Sequence, residues 1–135
     1  MAEAAVEPDY AADERAKEGY VRLRVKIGGL KVKSPGIFNR ILHKHPHPEG
    51  KNAEIEVPTF HDKGFELNVR GGTAGEMKGA HYSFKILQLP FDIEADDCYI
   101  TAEDGWINMF LKKTDVNQSW EKHIRDNALE TASMD

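Results

Sequence analysis

Residues 20–27 read Tyr-Val-Arg-Leu-Arg-Val-Lys-Ile, and this stretch decides the fold class. Its aliphatic residues alternate with basic ones, so an extended strand here has one apolar face and one charged face. Shorter stretches typical of strands follow along the chain, separated by glycine, proline and acidic turn residues. They are residues 54–57, 65–70, 82–86, 98–101 and 106–111. This succession predicts an all-β fold, an antiparallel β-sandwich.

The dipeptide Asp104-Gly105 lies between the last two of these stretches. It is a favoured centre for a two-residue hairpin turn, because both central positions of such a turn adopt positive φ. We therefore expect residues 98–101 and 106–111 to pair as neighbouring antiparallel strands.

One helical pattern interrupts the strands, over residues 35–44. Ser34 is a suitable N-cap, and Pro35 suits the first helical position. The large apolar residues that follow fall on one helical face, and they are Ile37, Phe38, Ile41 and Leu42. The sequence predicts one short inserted helix that packs on a sheet. If its apolar face is exposed instead, Ile37, Phe38 and Leu42 are candidate partner-binding residues.

Length and charge divide the chain into a body with two acidic ends. The 135 residues are enough for one domain with a single core. Acidic residues outnumber basic ones near both termini, whereas the stretch between them carries a slight excess of bases. We therefore expect a flexible acidic arm over residues 1–19, a sandwich over residues 20–120, and a short acidic tail over residues 121–135 that could be helical.

Composition also excludes several classes of function. No run of apolar residues is long enough to span a bilayer, and the N-terminus lacks the basic and apolar regions of a secretory signal. The single cysteine, Cys98, excludes an internal disulfide and fits a reducing compartment, so we expect a cytoplasmic protein. We also expect a monomer without a membrane partner. The acidic ends disfavour binding to nucleic acid, because they compete with phosphates for basic side chains.

No motif in the chain predicts catalysis. Three histidines alternate in residues 43–47, but Pro46 and Pro48 restrict their geometry, and a solvated loop is favoured over a metal site. The glycine-rich residues 71–79 lack the Gly-Lys-Ser/Thr ending of a phosphate-binding loop and predict a flexible connection. The acidic neighbours of Cys98 raise the pKa of its thiol and make it a poor nucleophile. We expect no catalytic residue, no metal and no cofactor.

The second half of the chain carries a more specific pattern. Residues 65–69 are a predicted strand ahead of the glycine-rich residues 71–79, and residues 82–89 are followed by Phe-Asp-Ile at 91–93. Residues 105–113 read Gly-Trp-Ile-Asn-Met-Phe-Leu-Lys-Lys, and Gln-Ser-Trp follows at 118–120. Together these stretches resemble the CS domain, the sandwich shared by small co-chaperones of heat shock protein 90, NudC-type proteins and Sgt-type adaptors. The closing motif is most similar to the small co-chaperone branch.

This resemblance implies an HSP20-like sandwich of the CS type and a non-enzymatic function. The protein is expected to bind heat shock protein 90 and to assist the folding of client proteins or the assembly of complexes. Lys112 and Lys113 are expected to present a basic patch to an acidic partner surface. Trp120 either packs over the edge of the sandwich or contacts the partner. The alternative is an assembly module of a cytoskeletal or dynein-linked complex, with the helix at 35–44 as its docking element.

Overall fold

The computed structural model describes residues 5–33, 47–126 and 129. In this part of the chain, two antiparallel sheets and one short helix form a β-sandwich, which confirms the predicted fold class. The strands are β1 Tyr10–Asp13, β2 Tyr20–Lys26, β3 Ala53–Ile55, β4 Thr59–His61, β5 Gly64–Gly71, β6 His81–Ile86, β7 Tyr99–Glu103 and β8 Trp106–Lys112. A 3₁₀ turn, Ala95–Asp97, precedes β7, and helix α1 spans Glu121–Arg125.

The first sheet has the strand order β1-β2-β8-β7. Strand β2 pairs with β8 along its whole length, from Tyr20 opposite Lys112 to Lys26 opposite Trp106. The aliphatic residues of β2 are fully buried and its polar residues face outward, as the alternation predicts. Strands β7 and β8 form the predicted hairpin, and Gly105 in its turn has a φ of +85°.

The second sheet is built around the eight-residue strand β5. Strand β6 pairs with one edge of β5. Two short strands share the other edge: β3 places Ile55 opposite Val69, and β4 places Phe60 opposite Phe65. Strand β4 was not predicted, because it has only three residues and directly follows Pro58.

The core lies between the two sheets. Its largest fully buried side chains are Trp120, Phe65, Leu23, Ile27, Leu30, Leu67, Met77, Leu89, Ile93, Ile107, Met109 and Leu111. Leu30, Met77 and Leu89 belong to connecting segments, so loops as well as strands fill the interior. These loop residues carry no periodic pattern, and the sequence therefore did not identify them as core.

The N-terminal segment differs from the flexible arm expected over residues 1–19. Its described part, residues 5–19, is built into the sandwich. Val6 forms a parallel bridge with Tyr82 of the second sheet, and a few residues later β1 pairs with β2 of the first sheet. The segment therefore crosses from one sheet to the other and closes one side of the fold.

Only two inward residues hold β1 against the core, which explains why the sequence pattern missed it. The ring of Tyr10 packs 4.8 Å from the ring of Phe84 in the second sheet, and Ala12 also contacts the core. Two alternating residues are too few to give a recognisable strand period. Tertiary packing, rather than local pattern, orders this segment.

The helix predicted over residues 35–44 lies outside the described residues. Helix α1 lies within the acidic tail of residues 121–135, where the sequence also allows a helix. Its N-cap position is Trp120 rather than Ser119, and the Ser119 hydroxyl accepts a hydrogen bond from the Glu121 backbone N–H at 3.2 Å. Leu129 is buried, so the chain beyond α1 still contacts the core.

Residues 71–79, expected to form a flexible connection, make a compact series of turns. The backbone N–H of Gly79 donates to the carbonyl of Gly72 at 3.2 Å, and the Met77 side chain is fully buried. A Cβ atom added to Gly71 would overlap the carbonyl oxygen of Met77. Close backbone approach therefore requires glycine at position 71.

Gly71→Ala is expected to lower the free energy of unfolding by about 3 kcal/mol, because the loop must move to admit the methyl group. Gly28→Ala is the matched control: no atom lies within 4 Å of its added Cβ, and its φ is not positive. Urea denaturation of both variants measures the difference. Equal stabilities would contradict the close approach at Gly71.

Candidate protein-interaction face

The outer face of the first sheet, here called the basic–aromatic face, collects side chains that point away from the core. Strand alternation and the β2–β8–β7 register bring them together. They are Tyr20, Arg22, Arg24 and Lys26 of β2, Trp106, Asn108, Phe110 and Lys112 of β8, and Tyr99, Thr101 and Glu103 of β7. Lys17, from the β1–β2 connection, joins them through its contact with Tyr99. Aromatic and basic residues dominate this surface.

The outer face of the second sheet has a different composition. Strands β5 and β6 present both acidic and basic side chains there, without a phenylalanine, tyrosine or tryptophan. These residues are Glu66, Asn68, Arg70, His81, Ser83 and Lys85. Solvated sheet faces normally have such mixed polar character. Aromatic residues on the outer face of the first sheet are therefore unusual for a solvated sheet face.

Three aromatic rings form a cluster at one end of the basic–aromatic face. Tyr99 and Phe110 stack with ring centres 4.8 Å apart and planes at 15°. Tyr20 meets both rings edge-on, at 5.9 Å from Tyr99 and 6.4 Å from Phe110. All three residues are partly exposed, so the cluster offers apolar area to a partner while its rings hold one another in place.

Two lysines flank this cluster. Lys17 Nζ lies 4.6 Å from the centre of the Tyr20 ring and donates a hydrogen bond to Tyr99 Oη at 2.8 Å. Lys112 Nζ lies 5.2 Å from the centre of the same Tyr20 ring. Among the described residues, neither ammonium group has a carboxylate within salt-bridge distance. Within the described part of the chain, no carboxylate therefore neutralises the charges of Lys17 and Lys112.

The two arginines of the face are paired internally. Arg22 Nε and Nη2 donate to one oxygen of Asp13, at 3.0 and 2.8 Å. Arg24 Nη2 pairs with Glu103 at 2.8 Å, and its guanidinium lies 4.4 Å from the centre of the Trp106 ring. Among the described residues, the cations of the face without a carboxylate in salt-bridge distance are Lys17 and Lys112 beside the aromatic cluster, and Lys26 at the other end of β2.

Lys112 and Lys113, predicted to act as one basic patch, point in opposite directions. Lys112 lies on the basic–aromatic face. The next side chain along an extended segment points to the other side, and Lys113 is only 8% exposed. Its ammonium group contacts a Glu14 carboxylate oxygen at 2.6 Å. The structure therefore brings only Lys112 to the candidate surface.

Trp120 is fully buried, as the packing interpretation of this residue expects. Its ring packs 5.7 Å from the ring of Phe91, centre to centre. The backbone N–H of Trp120 donates to Glu14 at 2.9 Å, and the Ser119 hydroxyl donates to the other Glu14 oxygen at 3.4 Å. In this arrangement the indole has no exposed surface for a partner.

Glu14 thus joins the N-terminal segment to the end of the sandwich. Burial by itself raises the pKa of its carboxyl, but hydrogen bonds from Lys113 and from the Trp120 backbone N–H outweigh burial. The net result is a pKa below the usual value for glutamate. The carboxylate form is therefore the one that stabilises the folded state.

The remaining candidate residues do not extend the face. Ile37, Phe38 and Leu42 lie outside the described residues, as do the first two histidines of residues 43–47. The ring of His47 lies 2.6 Å from the carbonyl oxygen of Ile55. In residues 5–33 and 47–126, no three His, Cys, Asp or Glu side chains are grouped so that they could hold a metal ion.

Cys98 is held in a structural contact rather than poised for reaction. Burial raises the pKa of its thiol to about 11, the Lys112 backbone N–H opposes this, and the charges of Asp97 and Glu94 add to it. The predicted direction is confirmed, although burial is the largest cause and the acidic neighbours are secondary. A thiol with this pKa is a weak nucleophile at neutral pH.

Sequence reasoning named Lys112 but missed Lys17, Tyr20, Tyr99 and Arg22 as members of one surface. Each strand residue among them occupies a polar-face position of a predicted strand. The sequence pattern does not give the order of the strands in the sheet. This order determines which polar strand faces become neighbours.

Compared with known proteins, the chain matches no family model and has no significant similarity to a curated protein. The CS-domain resemblance therefore rests on its sequence motifs and stays a prediction. No helix in the described part of the chain is long and apolar enough to cross a bilayer.

Trp120→Ala is expected to lower the free energy of unfolding by about 3 kcal/mol, because a large buried ring is removed. Trp106→Ala serves as the comparison, since Trp106 is partly exposed on the basic–aromatic face and should cost about 1 kcal/mol. Urea denaturation measures both. A loss below about 0.5 kcal/mol for Trp120→Ala would contradict its burial.

Glu14→Gln is expected to destabilise the protein by about 2 kcal/mol near neutral pH, because a buried ammonium loses its charged partner. The pKa of Glu14 is lowered in the folded state, so its contribution is present above the unfolded pKa and is lost as pH falls through the folded pKa. The stabilities of wild type and variant should therefore converge in acid. Urea denaturation at several pH values tests this, and a constant difference down to about pH 3 would contradict it.

Proposed function

We propose that this protein is a non-enzymatic co-chaperone or adaptor that binds heat shock protein 90 through a CS-type domain. In this role it assists the folding of client proteins or the assembly of complexes in the cytoplasm, as a monomer. The proposal rests on two observations. Residues 105–113 and 118–120 resemble the closing motif of the CS domain, and residues 105–113 contribute side chains to the basic–aromatic face. The carrying observation is that Lys17 and Lys112 lie beside the aromatic cluster and have no carboxylate partner within the described part of the chain.

The composition of the basic–aromatic face suits a protein partner. Tyrosine and tryptophan are enriched among residues that dominate binding energy, since their large rings lose little conformational freedom on binding. Cations around such a cluster favour encounter with an acidic surface and fix its orientation. We infer that the chaperone surface bound here is acidic, and that Lys17 and Lys112 face its carboxylates.

Several ionisable groups have shifted pKa values with identifiable structural causes. They include Asp13, Glu14, Tyr20 and Cys98. The two carboxylates are held by bases and backbone N–H groups, and burial is the largest cause of the raised pKa of Tyr20 and Cys98. Each shift has a structural explanation that does not require catalysis.

Binding of the purified protein to heat shock protein 90, with a non-hydrolysable ATP analogue and without nucleotide, tests the proposal. We expect a complex whose affinity falls with added salt. Lys17→Gln combined with Lys112→Gln should weaken it about tenfold, because two cations leave the face. Lys78→Gln combined with Lys85→Gln is the matched control, since it removes the same charge from exposed positions off the face.

Three outcomes would count against the proposal. Failure to form a complex at concentrations of about tens of micromolar, in either nucleotide state, would overturn the assignment of the chaperone. Equal weakening by both double variants would overturn the assignment of the face. Loss of chaperone binding on Ile37→Asp with Leu42→Asp, with folding intact and the face variants binding as wild type does, would assign the docking surface to residues 35–44 instead of to the face.

A further inference from the structure

Arg22 occupies a central position on the basic–aromatic face. It lies directly opposite Phe110 on β8, and Phe110 lies opposite Tyr99 on β7. Arg22 therefore borders the aromatic cluster in the same row of side chains. A free guanidinium at this position would add a third cation to the two lysines that face the partner.

In the free protein, the guanidinium of Arg22 is held by Asp13. Both Arg22 donors contact a single carboxylate oxygen, Oδ2, at 3.0 and 2.8 Å. The other oxygen of Asp13 accepts the backbone N–H groups of Arg15 and Ala16, each at 3.0 Å. Asp13 is thus fixed by its own turn in the orientation in which a partner's carboxylate would bind Arg22.

The strand that delivers Asp13 is peripheral to the sheet. Strand β1 has four residues and pairs only with β2. The Asp13–Arg22 pair is about one-third exposed on each side, so water and an incoming ligand can reach it. An ion pair with this exposure is weak in water and can be exchanged for another carboxylate.

We propose that the N-terminal strand acts as an intramolecular competitor of the acidic partner. Asp13 stands in for a partner carboxylate on Arg22, and a partner that supplies its own carboxylate must displace it. The acidic segment of the partner therefore binds Lys17 and Lys112 first and gains Arg22 only when Asp13 is released. This inference rests on the proposed function, because it takes the basic–aromatic face as the surface that receives an acidic segment.

Asp13→Asn tests the competition while preserving the turn. The asparagine Oδ1 still accepts the N–H groups of Arg15 and Ala16, whereas the charge that holds Arg22 is gone. The probe is a fluorescein-labelled peptide rich in aspartate and glutamate, titrated with the full chain at low salt and followed by fluorescence polarisation. We expect Asp13→Asn to bind it about three- to tenfold more tightly than wild type.

Asp9→Asn is the matched control, because it makes the same change of charge nearby at an exposed residue. It measures the effect of net charge alone and should change the affinity less than Asp13→Asn does. Adding Arg22→Gln to Asp13→Asn should remove the gain, which shows that the gain passes through Arg22. Urea denaturation of each variant checks that the sandwich remains folded at the assay concentration.

The possible failures separate the two proposals. If wild type binds the peptide and Asp13→Asn binds no more tightly than Asp9→Asn, the competition is overturned while the face remains an acidic-ligand site. If the gain persists in the Asp13→Asn/Arg22→Gln variant, Arg22 is not the group that Asp13 withholds, and the competition is likewise overturned. If no variant binds the peptide at low salt, the basic–aromatic face itself is overturned as the acidic-ligand surface.

Discussion

The pairing of β2 with β8 is the constraint on which the rest of the structure depends. Seven residues of each strand lie opposite one another, and their alternation fixes both surfaces of the first sheet at once. One surface supplies Val21, Leu23 and Val25 to the core, and the other becomes the basic–aromatic face. A shift of the pairing by one residue would exchange the two surfaces. The same register therefore determines which residues fill the core and which residues form the face.

The same alternation explains why Lys112 and Lys113 have different structural roles. Lys112 is on the outer side of the sheet, beside Tyr20, whereas Lys113 turns inward to Glu14. A buried ammonium is tolerated only with a close and well-bonded partner, so Lys113 requires the N-terminal segment in position. One lysine of the adjacent pair is thus available to a ligand while the other secures the fold.

Most of the sandwich could be predicted from the sequence because its longer strands carry the period of two over several residues. Strands β1 and β4 could not, since each has at most two inward residues and depends on contacts with distant strands. The candidate face could be predicted only in part. Lys112 belonged to a recognisable motif, whereas Lys17 comes from a connection whose position follows from tertiary packing.

Two acidic residues of the N-terminal segment have a more specific role than solvation. Asp13 ends β1 and Glu14 follows it directly, and the two carboxylates pair with different bases, Asp13 with Arg22 on the face and Glu14 with buried Lys113. The exposed pair is weak in water and can be exchanged for another carboxylate, whereas the shielded pair is costly to break. The N-terminal segment can therefore yield Arg22 to an acidic partner and still remain attached to the sandwich through Glu14.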